Sequence, residues 1–129
     1  MSYSKKLYTL KEANALVPRL LRDIPLLQKL RAMLDTSFPD VQKAQGNARF
    51  NGGSAQGGDY LRVVLRFTEL SHDLQSQGCI LKGIEHGLVD FLSLREGKEV
   101  FLCWKFPETE IRYWHDIDTG FAGRQTIDS

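Results

Sequence analysis

The amino-acid sequence predicts an α+β domain in which a long antiparallel helical hairpin packs on one face of a C-terminal antiparallel sheet of about four strands. Apolar residues recur with a period of about 3.6 residues as far as Gly78, which is typical of amphipathic helices. After Gly78 they alternate with polar residues, which is typical of strands. The length of 129 residues, 42% of them hydrophobic, suits one core, so we expect a single domain over 1–129.

The first helix is predicted over residues 9–35. Thr9 and Glu12 have the spacing of a capping box, in which the hydroxyl and the carboxylate each accept a free backbone N–H. Pro18 and Pro25 are seven residues apart and share the face opposite the apolar stripe. Proline on an outer face bends a helix around its core, so we predict one curved helix rather than separate pieces.

Residues 36–58 are predicted to be a flexible, Gly-rich connection. Gly52 and Gly57 have the spacing of a phosphate-binding loop, but Gly58 and Asp59 stand where that loop needs lysine and a hydroxyl residue. We therefore interpret 51–58 as a linker. The second helix is predicted over residues 59–77, with Asp59 as its N-cap and Gly78 as the residue that ends it.

A β-meander is predicted over residues 79–115, with strands at 79–84, 88–95, 98–105 and 110–115. Glu96-Gly97 is the predicted two-residue turn, and residues 106–109 are the predicted four-residue turn. Residues 116–129 are predicted to form a C-terminal loop.

The order of these motifs is similar to that of a known family. They are Gly-Leu-Val-Asp-Phe at 87–91, Val-Phe-Leu-Cys-Trp at 100–104, Ile-Arg-Tyr-Trp-His at 111–115 and Gly-Phe-Ala-Gly-Arg at 120–124, after a Tyr-Thr-Leu-Lys-Glu-Ala opening at 8–13. Over nearly its whole length the chain resembles the bacterial domain of unknown function 2203 family. Leu92 and Thr126 stand where that family often has proline, which bears on loop rigidity. The resemblance supports the fold and implies no activity.

The turn lengths set the register of the sheet. They place Asp90, Cys103 and Arg112 in one row on the outer face, away from the helices. The inner face then carries Val89, Phe91, Val100, Leu102, Trp104, Ile111 and Tyr113. The outer face carries Asp90, Leu92, Phe101, Cys103, Lys105, Glu110, Arg112 and Trp114.

The ligand-binding candidates combine charged and aromatic side chains near the sheet end: Asp90, Glu110, Arg112, Trp114, His115 and Arg124. In one interpretation Arg112 binds an anion and Asp90 orients it, whereas in the other the face is solvated and a partner covers its aromatic residues. Arg124, between Gly123 and the C-terminus, either binds an anion or pairs with one of the carboxylates of Asp90, Glu110 and Asp116.

No metal site and no cofactor are expected. His72, His86 and His115 do not have the spacing of a zinc-binding helix, and the two cysteines are not paired in sequence. The alternative is a cluster of Glu85, His86, Asp90, His115 and Asp116 at the sheet end. Cys103 has no histidine beside it in the predicted register, so we interpret it as a small apolar strand residue.

Composition and charge exclude several classes. The formal net charge of +1 predicts no nucleic-acid binding, and the absence of an apolar run of about 20 residues predicts no membrane span. Two cysteines and no visible secretory signal favour the cytoplasm. Leu21, Leu26, Leu61 and Leu65 lie off the apolar stripes and predict a homodimer.

The predicted function is a non-catalytic binding or assembly module, acting as a homo-oligomer or with a protein partner. The alternative is a small-anion-binding protein or an enzyme that uses a carboxylate, histidine and arginine cluster at the sheet end. The residue spacing indicates no particular reaction.

Overall fold

The computed structural model describes residues 6–36 and 55–127. In these two ranges no helix has both the length and the apolar character needed to cross a membrane. The helices are α1 (Leu10–Ala15), α2 (Val17–Thr36) and α3 (Ala55–Ser76). The strands are β1 (Ile80–Gly83), β2 (Leu88–Arg95), β3 (Lys98–Lys105), β4 (Tyr113–Asp116) and β5 (Gln125–Thr126), with 3₁₀ turns at Ile84–His86 and Phe121–Gly123. The α+β prediction is confirmed.

The predicted single first helix is divided into two helices. The capping box of Thr9 and Glu12 is present, with both side chains bonded to backbone N–H groups. α1 stops before Leu16, whose N–H bonds to the carbonyl of Ala13. Pro18 has no N–H to donate to the carbonyl of Asn14, four residues earlier, so the helical bonding pattern is interrupted at this point. Pro18 is the second residue of α2, whereas Pro25 lies in the interior of that helix.

The second helix begins earlier than its predicted start. α3 runs from Ala55, so Asp59 lies inside it and the prediction of Asp59 as N-cap is wrong. Most of the predicted Gly-rich connection, residues 37–54, lies outside the described residues. At the other end Gly78 has φ +98, in the left-handed region where glycine is favoured, and the side chain of Tyr8 lies directly against it.

The sheet has five antiparallel strands in the order β1-β2-β3-β4-β5 rather than four. The fifth strand comes from the predicted C-terminal loop. Glu96 and Gly97, with φ of 53 and 77, form the predicted two-residue turn between β2 and β3. The observed pairs, among them Asp90 with Cys103, are those of the predicted β2–β3 register.

The core lies between the inner face of the sheet and α1, α2 and α3. Helix and strand residues form one buried cluster: Ala13, Val17, Leu20, Ile24, Leu27, Leu74, Val89, Phe91, Leu102, Trp104 and Ile111, with Tyr8 and Cys79. This packing leaves the outer face of the sheet to hold the polar side chains described next.

Candidate functional site

The outer face of the sheet carries a buried polar cluster. Asp90 on β2 lies directly opposite Cys103 on β3, as predicted. On β4, Tyr113 is opposite Cys103 and His115 is opposite Phe101. Residues that pair across antiparallel strands share a face, so His115 lies diagonally beside Cys103 and on the same face as Asp90.

The predicted register of β4 is wrong by one residue. Arg112 was expected beside Cys103, and Tyr113 occupies that place. The connection between β3 and β4 spans residues 106–112 instead of a four-residue turn. Glu108 and Ile111 hold it open: the Glu108 carbonyl accepts from Trp104 Nε1 at 2.8 Å, and Ile111 N–H donates to the Asn14 side chain at 2.7 Å. The longer connection reverses the faces of β4.

Asp90 and His115 form a direct pair that is almost completely shielded from solvent. The His115 Nε2 atom is 3.0 Å from Asp90 Oδ2, and each residue is 2% exposed. His115 Nδ1 lies 2.8 Å from the backbone carbonyl of Asp116. A carbonyl oxygen only accepts, so Nδ1 carries a proton. Nε2 and the Asp90 carboxylate therefore share a single proton.

Cys103 completes the cluster. Its Sγ, an Asp90 carboxylate oxygen and a His115 ring nitrogen all lie within 4.8 Å of one another. Burial, together with the charge of Asp90, raises the pKa of the Cys103 thiol to about 11. Without a further cation Cys103 is a neutral thiol at neutral pH.

Burial also raises the pKa of Asp90. Interactions with His115, Cys103 and Lys82 act in the opposite direction and do not overcome it. The Lys82 ammonium, on β1, lies 4.9 Å from the centre of the Phe101 ring. The cluster thus holds an aspartate whose ionised form is disfavoured, with the cations of Lys82 and Arg124 nearby.

A pocket of about 240 Å³ opens beside this cluster. Its walls come from the four strands β1 to β4 and from the segment after β4. The lining residues are Lys82, Leu88, Asp90, Cys103, His115, Ile117, Gly120 and Phe121. Polar groups are concentrated at one end, and Leu88, Ile117 and Phe121 supply apolar walls, which is the composition of a small-ligand site.

Arg124 secures the C-terminal segment over the outer face. Its Nη2 donates to both carboxylate oxygens of Glu108, at 2.8 and 2.9 Å, and lies 3.3 Å from the Cys103 carbonyl. The guanidinium also stacks on the Tyr113 ring at 4.1 Å. The expected carboxylate bond is therefore present, but its partner is Glu108 rather than Asp90, Glu110 or Asp116.

The other predicted site residues lie apart from the cluster. Glu110 and Arg112 form an exposed ion pair at 3.0 Å. Trp114 lies on the opposite face of β4, with Arg95 4.7 Å from its ring centre, and lines a separate cavity of about 360 Å³. His86 is exposed, so it does not join His115 in the expected group.

Sequence reasoning missed Lys82 and Glu108 and underrated Cys103. If the predicted register of β4 is shifted by one residue, His115 lies on the same face as Cys103. That shift would have indicated Cys103 as a site residue. The alternation of charged and apolar residues in 79–84 places Lys82 on a strand but does not indicate its nearest carboxylate.

The fold and the site define a small α+β domain with a buried Asp–Cys–His cluster beneath a pocket on the outer face of its sheet. The family described as uncharacterized conserved protein, DUF2203, has a model that matches residues 6–127. The chain belongs to this family, which confirms the resemblance. The match spans all six predicted ligand-binding residues. Neither a curated protein nor a solved structure matches the chain.

Proposed function

We propose that this protein binds a small anionic ligand in the pocket formed around Asp90, Cys103 and His115. The observation that carries the proposal is the buried Asp90–His115 pair at the polar end of an open pocket. This proposal corresponds to the alternative function that the sequence left open, a small-anion-binding protein, and not to the binding or assembly module that was predicted first.

The pair formed by Asp90 and His115 is costly to bury. Removing two polar ionisable groups from water is expensive, and well-packed apolar residues in their place are often at least as stable. For a pair that is 2% exposed, stability alone is therefore a weak explanation, and its position beside a pocket offers another. Perturbed ionisable groups beside a pocket are typical of binding and catalytic sites.

The chemistry of the lining indicates the class of ligand. Lys82 offers an ammonium group at the polar end, and the negative charge of Asp90 is offset by the proton that it shares with His115. Leu88 and Phe121 offer apolar contact. A small acid with a short apolar part can pair its anionic group with Lys82 and place its apolar part against Leu88 and Phe121.

The test is titration of metal-free ¹⁵N-labelled protein with acetate, butyrate and inorganic phosphate, followed by NMR. We expect saturable shifts of the amides around Asp90, Cys103 and His115. Lys82→Met should weaken binding about tenfold or more, since a charge-assisted hydrogen bond is lost. Lys11→Met, which removes an exposed lysine of α1, is the matched control and should bind as the parent does. Equal effects of the two variants, or no saturable shift, would contradict the proposal.

A second proposal, homodimerisation, rests on two leucines of α3. Leu61 and Leu65, one helical turn apart, are 50% and 60% exposed. Leu21, also expected at the interface, instead packs against the core. α2 and α3 contact each other, and we propose that they form the expected antiparallel hairpin, with the two leucines as its dimer contact.

Sedimentation equilibrium tests the dimer. We expect twice the chain mass of 14.7 kDa at micromolar concentration, and the monomer mass for the Leu61→Lys, Leu65→Lys double variant. Leu94→Lys, which changes a leucine that is 52% exposed on β2, is the control and should stay dimeric. A monomeric parent chain would rule the dimer out.

We also propose a cytoplasmic location, supported by the two free cysteines, Cys79 and Cys103. The near-neutral net charge supports the exclusion of nucleic acid from the proposed partners.

A further inference from the structure

We infer that Asp90, Cys103 and His115 bind one divalent transition-metal ion of the zinc class, through a carboxylate oxygen, Sγ and Nε2. The inference deepens the proposed function, because it rests on the same pocket and adds a cation at its polar end.

The positions of the three ligand atoms support one shared ion. All three lie within 4.8 Å of one another, and the Nε2–Oδ2 distance is 3.0 Å. Bonds of about 2.0–2.3 Å in a tetrahedral zinc site place neighbouring ligand atoms roughly 3.3–3.8 Å apart. Side-chain movements of about 1 Å would close the cluster around an ion. The three residues lie on the adjacent strands β2, β3 and β4, which restricts larger movements.

The orientation of His115 is the second, independent observation. Its Nδ1–H donates to the Asp116 carbonyl, which leaves Nε2 as the atom directed at Asp90. Histidine ligands of metals are usually held in this way, with the second ring nitrogen donating to a carbonyl or a carboxylate. The imidazole is therefore oriented, and in the correct tautomer, to coordinate through Nε2.

The set of ligand atoms selects the class of metal. One thiolate, one imidazole and one carboxylate suit Zn²⁺ and Co²⁺, whereas Mg²⁺ and Ca²⁺ prefer oxygen ligands. Binding releases the Cys103 thiol proton and the proton shared by Asp90 and His115. The two resulting anions, Asp90 and Cys103, then balance the charge of the ion.

The pocket gives this site an open side. Three protein ligands and one free position are the arrangement of zinc sites that bind water or substrate, whereas structural sites are closed by four protein ligands. A small acid in the pocket would reach that free position, so the ion and Lys82 would both attract it.

The experiment uses the full chain after removal of metal with a chelator. Co²⁺ is added in steps while the near-ultraviolet absorption of the cobalt–thiolate bond and the visible cobalt bands are recorded. We expect saturation at one Co²⁺ per chain and displacement of Co²⁺ by Zn²⁺. Cys103→Ser should remove the cobalt–thiolate band, and Asp90→Asn should weaken Co²⁺ binding about tenfold or more.

Cys79→Ser is the matched control, since Cys79 is the other free cysteine and is also buried, 3% exposed, but lies outside the cluster. It should keep the parent spectrum and affinity. Near-ultraviolet circular dichroism of each metal-free variant checks its fold, and Cys103→Ala replaces Cys103→Ser if the serine variant does not fold.

No stoichiometric Co²⁺ binding, or a thiolate band that survives in Cys103→Ser, would overturn the metal site. Anion binding to the metal-free protein, tested with Lys82→Met, is measured separately. Loss of the metal result alone leaves the proposed anion site standing, and loss of the anion result alone leaves the metal site standing.

Discussion

Two buried aspartates in this domain have contrasting electrostatic surroundings. Asp23, in α2, is 4% exposed and accepts hydrogen bonds from Arg19 at 3.1 Å and Arg22 at 3.0 Å. Asp90, in β2, is 2% exposed and pairs with His115, which is itself buried. Both side chains are shielded from solvent, but Asp90 lies deeper in the protein than Asp23, and their partners also differ.

Depth of burial and the identity of the partners together shift the two pKa values in opposite directions. Burial acts to raise the pKa of Asp23, but the hydrogen bonds and charges of Arg22 and Arg19 outweigh it and the pKa is lowered. Burial raises the pKa of Asp90, and its interaction with His115 is too weak to reverse the shift. An arginine is always charged, whereas a histidine shares its proton with its partner.

The surroundings of the two buried carboxylates, Asp23 and Asp90, differ in a way that bears on their roles. Asp23 is paired with two arginines of its own helix, both of which reach solvent, so its burial is accounted for by local ion pairs. The ionised form of Asp90 is disfavoured, and the residue lies next to an open pocket. This arrangement is typical of carboxylates that bind a ligand.

The largest expected effect concerns the Asp90 pair. His115→Leu leaves a buried carboxylate with no histidine partner and should lower the free energy of unfolding by about 1–3 kcal/mol. The double variant Asp90→Leu, His115→Leu removes both polar groups and should recover most of that loss. Urea denaturation of the three metal-free proteins measures both values. If the double variant is less stable than His115→Leu, the pair contributes to stability and the argument for a functional role fails.

The Arg124–Glu108 pair should give an intermediate effect. The two side chains are 14% and 26% exposed, so Arg124→Ala should cost about 1–2 kcal/mol of unfolding free energy. Arg112→Ala is the matched control, because its pair with Glu110 is 65% and 51% exposed and should contribute less than about 0.5 kcal/mol. Thermal and urea unfolding measure both. A loss equal to that of the control would show that Arg124 does not secure the C-terminal segment.

Local signals explain which parts of the fold could be predicted. The capping box of Thr9 and Glu12 and the turn at Glu96 and Gly97 depend on residues a few positions apart, and the structure has both. The length of that short turn sets the β2–β3 register, including the pairing of Asp90 with Cys103.

Contacts between distant residues explain what could not be predicted. The β3–β4 connection is held by a bond between Ile111 and Asn14, which are 97 residues apart in sequence. That bond removes 110–112 from the expected strand and places Tyr113, not Arg112, beside Cys103. His115 therefore joins Asp90 because of a contact that no local pattern contains, and the cluster could not be assembled from the sequence.

A smaller effect is expected for the structural aspartate. Asp23→Asn keeps the size of the side chain, and Arg19 and Arg22, which are 29% and 73% exposed, can bond to water instead. Its cost should be about 1 kcal/mol or less, since both arginine partners reach solvent and ion pairs with solvated partners contribute little. Urea denaturation at neutral pH measures it. A cost above that of His115→Leu would reverse the comparison between the two aspartates.

The last prediction is the pH dependence that belongs to Asp23. Its pKa in the folded chain lies below the ordinary value for an aspartate, so folding favours the ionised form. That contribution is complete above the unfolded pKa and is lost as the pH falls through the lowered folded pKa. The unfolding free energy of the parent chain should therefore fall more steeply than that of Asp23→Asn from about pH 5 downward, and the difference between the two should be constant around neutral pH. Asp35→Asn removes an exposed carboxylate of the same helix, 59% exposed and paired with Arg31, and its difference from the parent should be smaller. Urea denaturation at a series of pH values gives the three profiles. Coincident profiles for the two variants would mean that burial between two arginines gives Asp23 no more linkage to pH than an exposed aspartate has.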